Sequence, residues 1–167
     1  MSVPGSGPAI VVGVDGSPAS AAALRWAAEQ GRALRAEVVA VHVWEPSGPR
    51  IAPYAPAAAR PEADEERIAA ARVLAETVRG VMGPRVAGTV RAELIEGPPA
   101  RVLPRRARHA ALLVLGHTMH PQHTTAAGPV GRECLRRATV PVVTVPAPAA
   151  TVTRLAEHRA AGRTAAT

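Results

Sequence analysis

The sequence predicts an α/β domain built on a doubly wound, five-stranded parallel sheet with helices on both faces. Three observations support this fold class. Continuous apolar runs, such as AIVVGV at residues 9–14 and ALLVLG at residues 111–116, are typical of strands buried on both faces. Helical segments alternate with these runs, and strands separated by helices pair in parallel through right-handed crossovers. The chain of 167 residues suits one domain of about 150 residues with tails.

The turn after the first strand carries the signals of a helix start. It reads Asp15-Gly16-Ser17-Pro18, in which Ser17 is suited to cap a helix. Pro18 then occupies the first helical position, where a missing N–H costs nothing. The helix is expected to continue to about residue 35, and the β-branched run at residues 37–43 is expected to form the second strand.

The other elements are assigned from periodicity, caps and breakers. The predicted strands are residues 9–14, 37–43, 86–95, 111–116 and 141–145, and the predicted helices are residues 18–35, 62–82, 99–109 and 128–138. The predicted buried stripe of helix 62–82 is Ile68, Ala71, Ala75, Val78 and Met82. Pro104 is expected to kink helix 99–109 or move its start. Residues 44–61 are expected to form an irregular connection, and residues 1–8 and 147–167 flexible tails around a domain of residues 9–146.

Charge is unevenly distributed along the chain. Residues 1–96 hold 10 Arg and 11 carboxylates, whereas residues 97–167 hold 10 Arg and two carboxylates, Glu133 and Glu157. The C-terminal half is therefore suited to an anionic ligand or partner, although a composition rich in Arg and Ala explains the asymmetry equally well. A single cysteine excludes an internal disulfide. No apolar run approaches the ~18 residues of a membrane span, so a soluble, cytoplasmic protein without membrane contact is expected.

The order of several motifs resembles the universal stress protein family. These motifs are the VDGS turn after the first strand, the HV that ends the second, LLVLG in the fourth, and GPVGRECLRRATVPVVTVP near the C-terminus. The resemblance covers about residues 9–146 and implies the sheet order 3-2-1-4-5, with the reversal between the first and fourth strands. It also implies a homodimer formed through the last strand, residues 141–145, whose short β-branched edge is itself suited to recruit a partner.

In the nucleotide-binding branch of that family, ATP is held by an aspartate that ends the first strand, a main-chain contact that ends the second, and a glycine loop after the fourth. That loop reads G-2x-G-9x-G-(S/T). Matched position by position, the resemblance assigns nucleotide contacts to Asp15, Val43, Gly116 and Gly128. Met119 replaces the second loop glycine, Pro129 replaces the hydroxyl residue, and the segment between the last two glycines is one residue short.

These losses fall on the phosphate half of the site. Main-chain N–H groups and a helix N-terminus hold phosphates in such loops, and Pro129 removes both an N–H and a hydroxyl. Met119 adds a side chain where the backbone has to approach an oxygen atom. We therefore expect a degenerate nucleotide site, with ATP bound weakly or not at all and no cofactor required.

Several histidines and one cysteine have simpler interpretations. His117, His120 and His123 form the pattern H-x2-H-x2-H and could ligate Zn, Cu or Ni. No cysteine or nearby carboxylate completes the set, so a solvated polar loop is favoured. His42 is expected to be a packed, hydrogen-bonded histidine, and Cys134 a small core residue.

Arginines crowd the last two predicted helices: Arg101, Arg105, Arg106, Arg108, Arg132, Arg136 and Arg137. Such a cluster attracts phosphate or nucleic acid. However, no aromatic residue interleaves the arginines to stack on bases. A solvated helix face is therefore favoured, and nucleic-acid binding is not expected.

The predicted function is that of a universal stress protein-like binding or regulatory module with an unidentified protein partner. No catalytic arrangement of side chains is visible in the sequence, so enzyme activity is not expected, with slow ATP hydrolysis left open. Two alternatives stay open: a nucleotide-dependent switch that retains ATP binding, and a metal-responsive module that uses the histidine loop. Titrations with ATP and with metal ions separate these hypotheses.

Overall fold

The computed structural model describes residues 8–46, 63–83, 90–118 and 128–148. The strands in these ranges are β1 (Ala9–Gly13), β2 (Glu37–Trp44), β3 (Val90–Glu96), β4 (Leu112–His117) and β5 (Val142–Pro146). The helices are α1 (Pro18–Leu34), α2 (Ala63–Met82), α3 (Pro99–Arg106) and α4 (Pro129–Arg137). Within the described ranges, no helix has the length and apolar character needed to cross a lipid bilayer.

The strands form one parallel sheet of order β3-β2-β1-β4-β5. Val11 of β1 lies opposite Val39 of β2 and Leu113 of β4, so the central strand is paired on both sides. The chain moves outward from β1 to β3 and then returns across the sheet to β4, which makes the strand order reverse between β1 and β4. The predicted fold class and the predicted strand order are both confirmed.

Alternate residues of the strands fill two separate core layers. Ile10 packs with Leu24 on the face covered by α1 and α2. Leu113 packs with Leu103 of α3 and Cys134 of α4 on the opposite face. α3 and α4 therefore share one face of the sheet.

Cys134 is fully buried in the layer beneath α4. Loss of solvation, together with the neighbouring charge of Glu133, raises the pKa of its thiol to about 11. The thiol therefore stays protonated at neutral pH. The prediction that Cys134 is a core residue is confirmed.

α1 begins as its sequence predicts. Ser17 Oγ accepts a hydrogen bond from the Ser20 N–H at 3.1 Å, and Pro18 is the first helical residue. This cap satisfies one of the N–H groups that a helix start leaves without a partner. The first turn of α1 is thereby held directly beside the end of β1.

The buried face of α2 differs from the predicted one. Ala70 and Leu74 are buried, whereas Ile68 is 57% exposed. The next two positions of the predicted stripe, Ala71 and Ala75, also face solvent. Only the last two positions of that stripe lie against the core. A helix rich in alanine has little contrast between neighbouring stripes, so periodicity did not select the correct one.

α3 begins at the predicted residue but ends at Arg106 rather than at residue 109. Pro104 is buried inside the helix and does not move its start. After the helix, the Arg108 N–H bonds to the Arg105 carbonyl oxygen at 3.4 Å, a tighter pattern than that of an α-helix. Other sequence predictions fall on residues 1–7, 47–62, 84–89, 119–127 and 149–167, which lie outside the described residues.

An ion pair joins α3 to the sheet. Arg106 Nε and Nη2 donate to the two carboxylate oxygens of Glu93 on β3, at 2.6 and 2.8 Å. Arg91 Nη2 contacts the same carboxylate at 2.8 Å. The hydrogen bond from Arg106 and the two positive charges lower the pKa of Glu93 against the opposing effect of partial burial. Arg106 is thus a structural residue rather than part of a free basic surface.

Candidate functional site

A cavity of about 480 Å³ opens at the carboxyl ends of β1 and β4, where the strand order reverses. Its volume lies within the ~300–1,000 Å³ of small-molecule sites, and its position is where open α/β sheets bind ligands. The apolar wall is made by Val14, Val41, Val43, Pro99, Leu103, Leu115 and Val130, and the polar lining by Asp15, Ser20, His117, Thr118 and Thr144. The sequence-predicted residues Asp15, Val43, Gly116 and Gly128 all line this one cavity.

Asp15 stands at the rim of the cavity and is fixed by the turn that follows β1. Its Oδ1 accepts a hydrogen bond from the Ser17 N–H at 2.9 Å, and its own N–H donates to Ser20 Oγ at 3.3 Å. Partial burial opposes ionisation of the carboxyl, but its hydrogen bonds with Ser17 and Ser20 outweigh this effect and lower the pKa of Asp15. The side chain is therefore an ionised acceptor in a fixed position, as binding of ligand hydroxyl groups requires.

Gly116 lies where β4 passes against the first turn of α1. A Cβ at this position would lie 2.3 Å from the Ala19 carbonyl carbon and 2.5 Å from the Ser20 nitrogen. Both are main-chain atoms, so a change of rotamer cannot relieve the overlap. Gly116 therefore has a packing role, which accompanies the ligand contact predicted for it.

The first turn of α4 borders the cavity. Gly128 precedes the helix, and a Cβ there would meet no atom of the described residues within 4 Å. The Gly128 carbonyl oxygen accepts the first helical hydrogen bond, from the Arg132 N–H at 2.9 Å. Pro129 has no N–H, so Val130 and Gly131 are the first helical residues that can donate to a ligand. The N-terminal end of α4 thus borders the cavity with one N–H donor fewer than a helix that begins without proline.

Ser20, Thr144 and Leu103 are among the cavity residues that the sequence did not identify. Ser20 is 2% exposed and couples the capping turn to Asp15. Thr144 lies opposite Leu115 in β5, and its polar side chain within the apolar run PVVTV was a signal that could have revealed it. Leu103 had no such signal, because its place in the wall depends on how α3 packs against the sheet.

The histidines divide into two groups. His42 Nδ1 lies 2.6 Å from the Val14 carbonyl oxygen, which confirms the predicted hydrogen-bonded histidine. His117 ends β4 and lines the cavity, whereas His120 and His123 lie outside the described residues. Among the side chains that the structure describes, no group of three or more His, Cys, Asp or Glu is arranged to hold a metal ion. The metal-binding hypothesis for the full trio stays a prediction.

Comparison with known proteins relates the chain to universal stress proteins, both by a family model and by solved structures. The model of the universal stress protein family matches residues 8–146. A protein of that family from Burkholderia pseudomallei is 28% identical, with a TM-score of 0.62 over 86% of this chain and 100% of its own. A universal stress protein from Archaeoglobus fulgidus in complex with dAMP is 24% identical, with a TM-score of 0.60 over 83% and 97% of the two chains. A family protein from Arabidopsis thaliana with AMP bound is 18% identical, with a TM-score of 0.55 over 85% and 93%.

Comparison with curated proteins gave no match. The sheet order defines a doubly wound α/β protein, with a cavity at the reversal where sheets of this kind bind ligands. The family match extends over most of the sequence, and the chain belongs to the universal stress protein family.

Proposed function

We propose that the cavity binds an adenine nucleoside or its monophosphate, and that this occupancy regulates binding of a protein partner in a stress response. The observation that carries the proposal is the difference between the two ends of the cavity. The rim beside β1 presents an ordered, ionised carboxylate, whereas the helix that faces phosphates in this family begins here with a proline. The site is therefore better suited to a nucleoside than to a triphosphate.

The nucleoside end offers the two kinds of contact that a nucleoside needs. Val41, Val43 and Leu115 make an apolar wall against which a flat base can pack. Asp15 provides a charged acceptor for ribose hydroxyl groups, and such charge-assisted hydrogen bonds are stronger than neutral ones. The ligands of two structural neighbours, dAMP and AMP, share adenine and a single phosphate. These ligands support the choice of an adenine nucleoside.

The first prediction is that adenosine, AMP and ATP bind to the unmodified protein with similar affinity. Changing Asp15→Asn keeps an oxygen that can accept from Ser17 but removes the charge. We expect adenosine affinity to fall about tenfold, because hydrogen bonds to a charged group contribute about 1.5–3 kcal/mol and neutral ones less. Isothermal titration calorimetry measures both results.

The matched control for this experiment is Asp64→Asn. Asp64 is an exposed residue in the first turn of α2, which lies on the face of the sheet opposite α3 and α4. It should leave adenosine binding unchanged. Unaltered adenosine affinity in Asp15→Asn would contradict the assignment of the nucleoside end. A strong preference of the unmodified protein for ATP over adenosine would contradict the assignment of the phosphate end.

An ATP-dependent switch is the second candidate function, and specific polar groups favour it. The hydroxyl-bearing residues Thr118 and Thr144 line the cavity, and Val130 and Gly131 border it at the first turn of α4. Together these groups could replace the contacts that Pro129 removes. In that case ATP affinity would exceed adenosine affinity, so the same titration decides between the two functions.

We also propose that two copies of the chain pair through β5, which is an edge strand of the sheet. The Pro141 carbonyl oxygen and the Ala147 N–H both bond to β4. Because successive residues of a strand bond to opposite sides, Val142 and Thr144 direct their main-chain groups toward the open edge. An edge with unpaired main-chain groups is suited to pairing with a second strand.

The test of this dimer is Val143→Lys, which adds a charge to the middle of the edge strand. We expect analytical ultracentrifugation to show a dimer for the unmodified protein and a monomer for the variant. Leu34→Lys is the control, since Leu34 is 52% exposed at the end of α1. Thermal unfolding of each variant checks that the fold is retained. A monomeric unmodified protein, or a dimer that survives in folded Val143→Lys, would refute the interface.

A further inference from the structure

A second concavity, of about 330 Å³, lies between α3 and α4. Its lining residues are Arg101, Pro104, Arg105, Arg108 and Arg137. Four of these five residues are arginines and none is acidic. We call this concavity the arginine cleft. It differs from a solvated helix face because α4 contributes an arginine opposite those that α3 and the following turn supply.

Most of the positive charge in the arginine cleft has no counter-charge among the described residues. Arg137 contacts Glu133 within α4, so its charge is partly neutralised. Arg101, Arg105 and Arg108 are exposed, and no carboxylate of the described residues forms an ion pair with them. Like charges so close to one another repel, and a bound anion removes that repulsion.

We propose that the arginine cleft binds a chain of phosphate groups. A guanidinium presents N–H donors in a planar fork that matches the oxygens of a phosphate. Arg101 and Arg105 lie one turn apart in α3, about 6 Å at 1.5 Å per residue, and Arg108 follows in the turn after the helix, so their charges succeed one another along the cleft. A linear ligand with several phosphates can contact all three, which a single phosphate cannot do.

The cleft recognises the phosphates rather than any attached bases. None of the described residues that line it is aromatic, so they offer a base no platform on which to stack. Its concave form admits one chain between two helices. Inorganic polyphosphate and single-stranded nucleic acid share this phosphate chemistry, and the absence of stacking groups favours polyphosphate.

The arginine cleft is separate from the nucleoside cavity. Pro99 and Leu103 of α3 line the cavity, whereas Arg101 and Arg105 of the same helix line the cleft. Each site can therefore be changed without altering a residue of the other. Failure of adenosine binding would leave the proposal for the cleft standing, and failure of phosphate-chain binding would leave the nucleoside proposal standing.

The experiment compares two triple variants of the full chain that carry the same net charge. One is Arg101→Gln, Arg105→Gln and Arg108→Gln. The control is Arg25→Gln, Arg72→Gln and Arg79→Gln, which changes exposed arginines of α1 and α2 on the other face. Fluorescence anisotropy measures binding of labelled inorganic polyphosphate. We expect the cleft variant to bind at least about tenfold more weakly and the control to bind like the unmodified protein.

The salt dependence gives a second readout. The slope of log affinity against log salt concentration should become shallower by about 2 in the cleft variant, since each phosphate contact on a single strand contributes about 0.7. Circular dichroism confirms that both variants are folded. Equal losses in the two variants would show attraction by net charge alone and would overturn the proposal.

Competing ligands identify the source of the phosphates. Stronger competition by unlabelled polyphosphate than by an oligothymidylate of equal phosphate number supports the free phosphate chain. Equal competition supports the phosphodiester backbone as the ligand of the same cleft. Competition by polyglutamate as strong as that by polyphosphate would overturn recognition of phosphate. Asp15→Asn should bind polyphosphate normally.

Discussion

Gly116→Ala is expected to lower the free energy of unfolding by about 2–3 kcal/mol, because overpacking a rigid core typically costs about 1–3 kcal/mol. This position is at the upper end of that range because the added methyl group meets main chain. Its carbon would lie 2.3 Å from the Ala19 carbonyl carbon. Either β4 or the first turn of α1 has to move, and the two elements are in extensive contact. Urea denaturation followed by circular dichroism measures the change.

Gly128→Ala is the matched control for this substitution. At Gly128 the same methyl group meets no atom within 4 Å in the part of the chain that the structure describes, and φ is −63°, which alanine adopts without strain. We expect the free energy of unfolding to change by no more than about 0.5 kcal/mol. Equal stability of the two variants would show that the sheet and α1 adjust freely, and the packing role of Gly116 would then be wrong.

Pro129→Ser is expected to increase ATP affinity about tenfold to a hundredfold while leaving adenosine affinity unchanged. The substitution restores an N–H at the first position of α4 and adds a hydroxyl beside the cavity. A hydrogen bond to a charged group contributes about 1.5–3 kcal/mol, which corresponds to that range of affinity. Calorimetric titration with both ligands gives the ratio of their dissociation constants. Adding Met119→Gly and one residue between positions 119 and 128 should increase the ratio further.

Pro18→Ser is the control for this effect. Pro18 also occupies the first helical position, but in α1, and it is not among the described residues that line the cavity. The control should therefore leave the ratio of ATP to adenosine affinity unchanged. If Pro129→Ser strengthens both ligands equally, the gain does not arise at the phosphates, and the proposed defect at the start of α4 is refuted.

β1, β4 and β5 were predictable because each is a short apolar run, and β2 because it is rich in β-branched residues. β3 carries charged residues and was predicted from its alternating pattern instead. Ser17 and Pro18 similarly specified the start of α1, since the cap and the proline act within one turn of helix. The candidate site was predictable to the same extent. Asp15 and Gly116 are at the carboxyl ends of strands that a parallel sheet brings together.

Other features depend on contacts between distant parts of the chain. The packing of Gly116 against Ala19 requires the relative position of two elements, which no local pattern contains. The exposure of Ile68 has the same origin, because the tilt of α2 on the sheet decides which apolar stripe is buried. The arginine cleft required both α3 and α4 to be in place. The sequence showed that arginines cluster in these two helices, but it could not predict that they line a concave surface.

Because Cys134 is buried beneath α4, the rate at which its thiol reacts with a labelling reagent reports how often this region opens. Thiol reagents attack a thiolate that solvent can reach. In the folded protein the Cys134 sulfur is buried beneath α4 and its thiol is protonated, so it does not react. Reaction requires an opening that exposes the sulfur, either a local displacement of α4 or global unfolding, and a local opening costs at most as much as global unfolding. Since this is the only cysteine in the chain, each labelled molecule records one such opening, with no introduced probe.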